Sequence, residues 1–161
     1  MHEAIMKQSS WTWRWPALLL SVCVPLAAAA PITISNTEPL VFGKFAAGTG
    51  GSVLVGTTGA RSATGGVVLL SSGSGAAARF NVSGDANLTY ALTLPANGTA
   101  SLSNGSGQSM SLSDFTSNPA SAGLLGALGQ QALSVGARLN VGAGQPSGSY
   151  SGSFIVYVDY N

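Results

Sequence analysis

The sequence predicts an all-β protein: an immunoglobulin-like β-sandwich of about nine or ten short strands that follows an N-terminal signal peptide. Three observations support this prediction. Apolar residues alternate with polar residues in short runs, as they do in strands with one buried face. Residues that favour turns, above all the 22 glycines, separate these runs. No stretch keeps the apolar period of a helix, and glycines weaken the nearest candidate, around Leu124 and Leu128.

The first segment, Met1–Ala29, has the features of a secretory signal peptide. Two basic residues precede an apolar run, Pro16–Leu26, and the small residues of Ala27–Ala29 form a cleavage site. The apolar run is shorter than the ~20 residues that span a bilayer. We therefore expect cleavage after Ala29, no membrane association afterwards, and a single Gly/Ser-rich β-sandwich domain over Ala30–Asn161.

Short alternating runs mark the candidate strands of this domain. In the run Ala78–Ser83, for example, three apolar residues alternate with three polar ones, which places one face of the strand in a core. The candidate strands are Ile32–Ser35, Leu40–Phe45, Ser52–Val55, Gly66–Leu70, Ala78–Ser83, Thr89–Leu94, Thr99–Ser103, Met110–Phe115, Leu133–Val135, Arg138–Val141 and Ser153–Tyr160.

Two Asn-Gly pairs predict hairpin turns. Asn97-Gly98 separates Thr89–Leu94 from the next candidate strand, and Asn104-Gly105 separates that strand from Met110–Phe115. Asn-Gly suits a two-residue hairpin because both of its central residues need a positive φ. The spacing therefore predicts a small meander over Thr89–Phe115.

Charge and composition argue against most enzyme and nucleic-acid-binding classes. Only 7% of the residues are charged, against roughly 25% in typical soluble domains. The only His and the only Cys, His2 and Cys23, lie in the predicted signal peptide, so the domain has no imidazole or thiolate for catalysis or zinc binding. Four scattered cations do not form the basic surface that nucleic acid requires. We therefore predict no enzyme, no catalytic or metal-binding residue and no cofactor; a hydrolase would depend on isolated aspartates, for which surface roles are expected, at Asp85, Asp114 and Asp159.

The segment Gly148–Asn161 carries the most informative pattern. Phe154, Val156, Val158 and Tyr160 form one alternating apolar series. A long apolar strand at a sheet edge presents unpaired N–H and C=O groups, which can pair with another chain. From the residues alone, a central strand covered by its own sheet fits the pattern equally well.

This pattern, which runs from Gly148 to the penultimate Tyr160, resembles the C-terminal pattern of pilus subunits assembled by the chaperone–usher pathway. The resemblance implies an incomplete immunoglobulin-like fold. A periplasmic chaperone supplies the missing strand first, and the N-terminal extension of the next subunit then replaces it. It also implies that Ile32 and Ile34 are the anchors of a candidate donor segment. The residues that it assigns to assembly and chaperone contacts are Gly148, Phe154, Val156, Val158 and Tyr160.

A broader resemblance covers nearly all of the chain after Ala29. Motifs in a fixed order resemble those of the bacterial secreted domain of unknown function 4402 (DUF4402). This resemblance implies an exported β-sandwich and no established activity. The motifs are Leu40–Phe45, Thr64–Val67, Ala78–Val82, Tyr90–Pro95, Met110–Phe115, Val135–Val141, Gln145–Phe154 and Val158–Asn161.

We therefore expect an exported, non-enzymatic structural protein, a pilin-like surface or matrix subunit that assembles by β-strand addition. Its expected partners are identical subunits and a periplasmic chaperone, with no nucleic acid, and its expected location is outside the cell or on the surface of a Gram-negative bacterium, after export through the periplasm. The alternative is a monomeric secreted binding module for surface polysaccharide or protein. That alternative predicts Ser153–Tyr160 paired on both sides by its own chain, and a tyrosine platform drawn from Tyr90, Tyr150 and Tyr157.

Overall fold

The computed structural model describes residues 29–161, so residues 1–28 of the predicted signal peptide lie outside the described part of the chain. Residues 29–161 form strands and no helix, which confirms the all-β sandwich. The strands are β1 Thr33–Glu38, β2 Phe45–Ala46, β3 Gly51–Val55, β4 Arg61–Gly65, β5 Val68–Leu69, β6 Ala78–Ser83, β7 Thr89–Thr93, β8 Ser101–Ser103, β9 Ser109–Asn118, β10 Ala122–Leu124, β11 Gln130–Val141 and β12 Tyr157–Tyr160.

The large sheet is organised around β11, whose ladders are all antiparallel. Residues 130–135 of β11 pair with β6, and residues 137–141 pair with β3. β9 pairs along the opposite side of β11 from β3: Arg138 lies between Leu54 of β3 and Ser113 of β9. The outer strands are β1 against β6, β4 against β3 and β8 against β9.

A second, three-stranded sheet in the order β10-β7-β12 packs against the first half of β11. The contact between the sheets is a buried cluster that we name the Tyr90 cluster: Ala78, Val82, Tyr90, Leu92, Leu125, Leu133, Val135 and Val156. A neighbouring buried cluster, the Leu139 cluster, comprises Phe42, Val53, Val55, Val67, Ala100, Met110, Leu112, Ala137, Leu139 and Val141. Three partly buried side chains pack against both clusters and join them: Leu40, Phe115 and Phe154.

The single strand β11 replaces the two predicted strands Leu133–Val135 and Arg138–Val141. Gly136 lies between them, and a Cβ at this position would approach the carbonyl oxygen of Val55 to 2.3 Å. The close approach of β3 therefore requires glycine here. The pairing with β9 also shifts register between Gly136 and Arg138, as at a β-bulge. The apparent break in the sequence pattern is thus a bulge within one continuous strand.

The first half of the predicted meander over Thr89–Phe115 is wrong. β7 belongs to the small sheet, whereas β8 pairs with β9 in the large one. Gly98 has a positive φ of +77°, but Asn97 does not, so the pair does not form the predicted turn. Asn97 instead accepts a 2.8 Å hydrogen bond from the backbone amide of Asp114. Gly98 donates one of 2.8 Å to the carbonyl of Leu112, so this pair forms a corner that crosses between the sheets.

The second predicted hairpin is present between β8 and β9. Its loop is longer than a two-residue turn and spans Asn104–Gln108. The side-chain oxygen of Asn104 accepts hydrogen bonds of 2.9 and 3.2 Å from the amides of Ser106 and Gln108. The asparagine therefore organises the loop through its side chain.

The remaining differences concern short or polar strands. β4 and β10 have no counterpart in the prediction, because their residues do not show a clear apolar alternation. The predicted strand Gly66–Leu70 is reduced to the two residues of β5. The predicted strand Leu40–Phe45 is reduced to a bridge between Val41 and Ala76 and to Phe45 at the start of β2. This last segment therefore lies mostly outside the sheets.

Tyr90 places a phenol at the centre of the contact between the sheets. Its side chain is fully buried, and its hydroxyl donates a 2.8 Å hydrogen bond to Oε1 of Gln131. The same oxygen accepts a 3.0 Å hydrogen bond from the amide of Leu124 in β10. Burial raises the pKa of Tyr90 above its ordinary value of 10.0, because the phenolate would lose its hydration.

We predict that the domain loses stability as the pH rises above about 10 and that Tyr90→Phe removes part of this loss. The unfolded chain releases the Tyr90 proton near its ordinary pKa, whereas the folded chain retains it to a higher pH. The free energy of unfolding therefore falls by up to about 1.4 kcal/mol for each pH unit between the two pKa values. Urea unfolding between pH 8 and 11.5, on the order of eight points, would measure the slope. Tyr157→Phe is the control, since Tyr157 is 58% exposed, and an equal effect of both substitutions would contradict the prediction.

Candidate functional site

The C-terminal strand alternates as the sequence predicts. Ile155 and Tyr157 face outwards and are 63% and 58% exposed, whereas Val156 between them is buried. The inward-facing residues belong to the Tyr90 cluster or pack against it, and they are Phe154, Val156, Val158 and Tyr160. Four of the five residues assigned to assembly contacts therefore pack in the core of their own chain, and their contacts with a partner stay a prediction.

β12 is paired on one side only among the described residues. Its partner is β7, and it forms the edge of the small sheet. The ladder begins with the pair Tyr157–Thr93, and Pro95, two residues beyond Thr93, has no N–H to donate. Within residues 29–161, the backbone of residues 152–156 consequently makes no hydrogen bond with other backbone groups.

The candidate donor residues Ile32 and Ile34 lie close to the same edge. Ile34 is opposite Val82 in the β1–β6 ladder, and both isoleucines pack against the Tyr90 cluster. β1 is an outer strand of the large sheet and contacts β12 of the small sheet. The structure thus brings the two candidate sets together at neighbouring edges, with the donor segment paired inside its own chain.

An apolar groove lies between two segments that are mostly outside the ladders. The first wall is Pro39–Ala47, and the second wall is Gln145–Phe154. The floor includes the partly buried Leu102 and the buried Leu112 and Leu139, so the groove lies over the edge of the Leu139 cluster. Two adjoining cavities of about 230 and about 1050 Å³ form the groove. The space is therefore large enough for several residues of an extended chain, since ligand pockets are typically about 300–1,000 Å³.

Arg61 holds the first wall in place. Its Nη1 donates hydrogen bonds of 3.2 and 3.0 Å to the carbonyls of Phe42 and Lys44. Its Nη2 donates a 2.6 Å hydrogen bond to the carbonyl of Leu70, on the adjacent loop. A planar guanidinium with a fixed fork of donors can satisfy several carbonyls at once. This residue was not among the predicted site residues, and nothing in the sequence around Arg61 indicates its carbonyl partners.

The second wall is attached to β8 at one point. Ser151 and Ser103 exchange backbone hydrogen bonds of 3.0 and 2.8 Å. A Cβ on Gly152 would lie 2.1 Å from the carbonyl oxygen of Ser101, so glycine permits this close contact. Gly148 lies in the exposed part of the wall, before this attachment, and lines the groove. It is the one assigned assembly residue that the structure places outside the core.

Phe154 joins the second wall to both core clusters. Its ring lies 6.3 Å from that of Phe80, in an edge-to-face arrangement, and 5.3 Å from that of Phe115. Beyond Phe154 the chain enters the small sheet, while before it the chain follows the groove. Phe154 therefore fixes the point at which the second wall separates from the sandwich.

The groove carries little charge. Lys44 is the one charged residue that lines it in the described part of the chain. Two ion pairs occur elsewhere within residues 29–161, between Arg79 and Glu38 at 3.0 Å and between Arg138 and Asp114 at 2.6 Å. Over the same residues, no three His, Cys, Asp or Glu side chains come together as a metal site, and no helix is long and apolar enough to cross a membrane. The chemistry that the groove offers is apolar contact and backbone hydrogen bonding.

Comparison with known proteins identifies a family. Residues 32–160 match the model of the family described as Domain of unknown function (DUF4402). No curated protein and no solved structure matches the chain.

We predict that Arg61→Lys loosens the first wall of the groove. A single ammonium group cannot reach the three carbonyls that the guanidinium binds, so two or more charge-assisted hydrogen bonds are lost. The expected cost is about 1–3 kcal/mol of unfolding free energy, together with faster hydrogen exchange of the Leu70 amide, which donates to the carbonyl of Lys44. Arg79→Lys is the matched control, since Arg79 forms one exposed ion pair with Glu38. Equal destabilisation by the two substitutions would show that Arg61 has no special role.

Proposed function

We propose that this chain, which belongs to the DUF4402 family, is an exported, non-enzymatic structural subunit that accepts an extended strand from another polypeptide. The proposal includes a pilin-like role at the cell surface or in the matrix, with identical subunits and a periplasmic chaperone as the partners. Its support is a physical one: an apolar groove and a stretch of backbone that lacks backbone partners within the described chain lie in the same place.

The observation that carries the proposal is the unpaired backbone of residues 152–156 beside the groove. Unpaired N–H and C=O groups at the edge of an apolar surface are a template for β-strand addition. A strand laid along the second wall would gain main-chain hydrogen bonds from these residues. Its alternate side chains would pack on the partly buried Leu40 and Leu102 and on the exposed Val41. Both sources of affinity in strand addition are thus present together.

The lining of the groove defines the chemistry of its occupant. With one cation among the lining residues, Lys44, the groove has no charge pattern that would select an acidic or basic segment. The fitting occupant is an extended segment with aliphatic residues at alternate positions. Ile32 and Ile34 of another copy have this pattern, and their use as donor would require β1 to leave its ladder with β6.

The alternative, a monomeric module that binds polysaccharide or protein, has less support. It predicts a C-terminal strand paired on both sides by its own chain, whereas within residues 29–161 β12 pairs with β7 alone. It also predicts an exposed platform of tyrosines. Tyr90 is fully buried, and the hydroxyl of the partly buried Tyr150 bonds to the carbonyl of Pro146, which leaves Tyr157 as the exposed member of this set.

We predict that Ser153→Pro prevents assembly while Ser153→Ala does not. Ser153 lies in the unpaired stretch, so proline there removes an N–H that has no backbone partner within the described chain. An added strand would lose one or more main-chain hydrogen bonds, which weakens assembly by about tenfold or more. The full-length chain and both variants would be exported in a Gram-negative host, and oligomers would be measured by light scattering and in unboiled gels.

The alanine variant keeps the N–H and controls for the loss of the hydroxyl. The melting temperature of each monomer, which we expect to stay within about 2 °C of the unsubstituted chain, separates a defect in assembly from a defect in folding. A series of oligomer bands that disappears on boiling, and that only the proline variant lacks, would support strand addition. Stable monomers of the unsubstituted chain would overturn the proposal and favour the binding module.

A further inference from the structure

Three hydrogen bonds form a closed circuit between the start of the domain, the loop after β6 and the last strand. The backbone nitrogen of Ala30 donates a 3.0 Å hydrogen bond to Oδ2 of Asp85. The backbone nitrogen of Asp85 donates one of 2.7 Å to the hydroxyl of Tyr160. That hydroxyl donates one of 3.0 Å to the carbonyl of Ala30. Each member of the circuit is therefore held by the other two.

The first member of this circuit is the residue that follows the predicted signal-peptide cleavage site. Cleavage after Ala29 converts the Ala30 nitrogen from a neutral amide into an α-amino group, which carries a positive charge below its pKa of about 8. The same atom that donates one hydrogen bond to Asp85 then becomes a cation 3.0 Å from a carboxylate oxygen. We propose that the Asp85 carboxylate, which Tyr160 helps to position, binds the α-ammonium group that processing creates at Ala30.

The surroundings of the circuit fit this assignment. Within residues 29–161 the two side-chain ion pairs are Arg79–Glu38 and Arg138–Asp114, so Asp85 has no competing side-chain cation. Gly84 leaves room for the Tyr160 hydroxyl, since a Cβ on Gly84 would lie 2.1 Å from that oxygen. A carboxylate held in a fixed position can accept a charge-assisted hydrogen bond from an ammonium group, and the Tyr160 hydroxyl fixes the Ala30 carbonyl and the Asp85 amide beside it.

The site joins two edges that the fold otherwise leaves to weak contacts. Ala30 leads directly into β1, the outer strand of the large sheet, and Tyr160 belongs to β12, the edge of the small sheet. An ion pair that forms only after cleavage strengthens this connection in the mature chain and not in the precursor. Processing would thus fix β1 in its own sheet. The inference does not depend on strand addition and holds for a monomer as well.

The first test is the intact mass of the exported protein, which we expect to correspond to a chain that starts at Ala30. The second is a double-mutant cycle that combines Asp85→Asn with the insertion of one glycine before Ala30. The insertion restores the amide at Ala30 and moves the α-ammonium group by one residue. Asp85→Asn should lower the melting temperature by about 1–4 °C in the chain that starts at Ala30, and by less than half of that in the extended chain.

Asp159→Asn is the matched control for the loss of a negative charge, since Asp159 is exposed and belongs to neither side-chain ion pair of the described residues. It should shift the melting temperature equally in both chains. A mature chain that starts at another residue would overturn the proposal. So would an effect of Asp85→Asn that is the same with and without the added glycine, including no effect in either, because the carboxylate would then not bind the α-ammonium group.

Discussion

β11 forms ladders with β3, β6 and β9, and the rest of the domain depends on this triple pairing. The described residues include no cysteine, so no disulfide contributes, and the low charge leaves few ion pairs. Cohesion must come from backbone hydrogen bonds and from the apolar contacts that they align. Gly136 is central to this arrangement, because it lets β3 approach closely while β9 shifts register on the other side. A larger residue there would separate the strands whose inward side chains make up both clusters.

Because the domain has few charged residues, one arginine and the backbone pairing determine how the groove walls are held. Carbonyls within the ladders bond to neighbouring strands, but most of the first wall lies outside the ladders. Arg61 binds three of its neighbouring carbonyls from one side, so the opposite side of this wall stays open to the groove. On the second wall, the ladder with β7 begins only at Tyr157, so residues 152–156 have no backbone partner within the described chain. Arg61 on one wall and the late start of the β12 ladder on the other thus define the two sides of the groove.

Local patterns in the sequence predicted the fold class and the orientation of individual strands well. The alternation of Phe154 to Tyr160 correctly separated buried from exposed positions, because burial on one face of a strand follows its two-residue period. Which strands pair with one another was harder to predict from the sequence, because pairing depends on contacts between residues that are distant in sequence. Asn97-Gly98 has the composition of a hairpin turn, yet Asn97 bonds to Asp114 and directs the chain into the other sheet. Arg61 and Asp85 were missed as structural residues for the same reason: their partners are carbonyl and amide groups, which every residue possesses.

The contact between Ala30 and Tyr160 also bears on the topology of the domain. The hydroxyl of Tyr160 in the last strand lies 3.0 Å from the carbonyl of Ala30, three residues before β1, so the path of residues 30–161 is almost a closed ring. Joining such neighbouring points requires a short linker and little additional loop-closure entropy. New termini could then be opened in the Asn104–Gln108 loop, where a Cβ added to Gly105 or Gly107 would meet no atom within 4 Å beyond its chain neighbours. A circularly permuted chain of this kind would keep every ladder, because the architecture depends on which strands meet and not on the order in which they are synthesised.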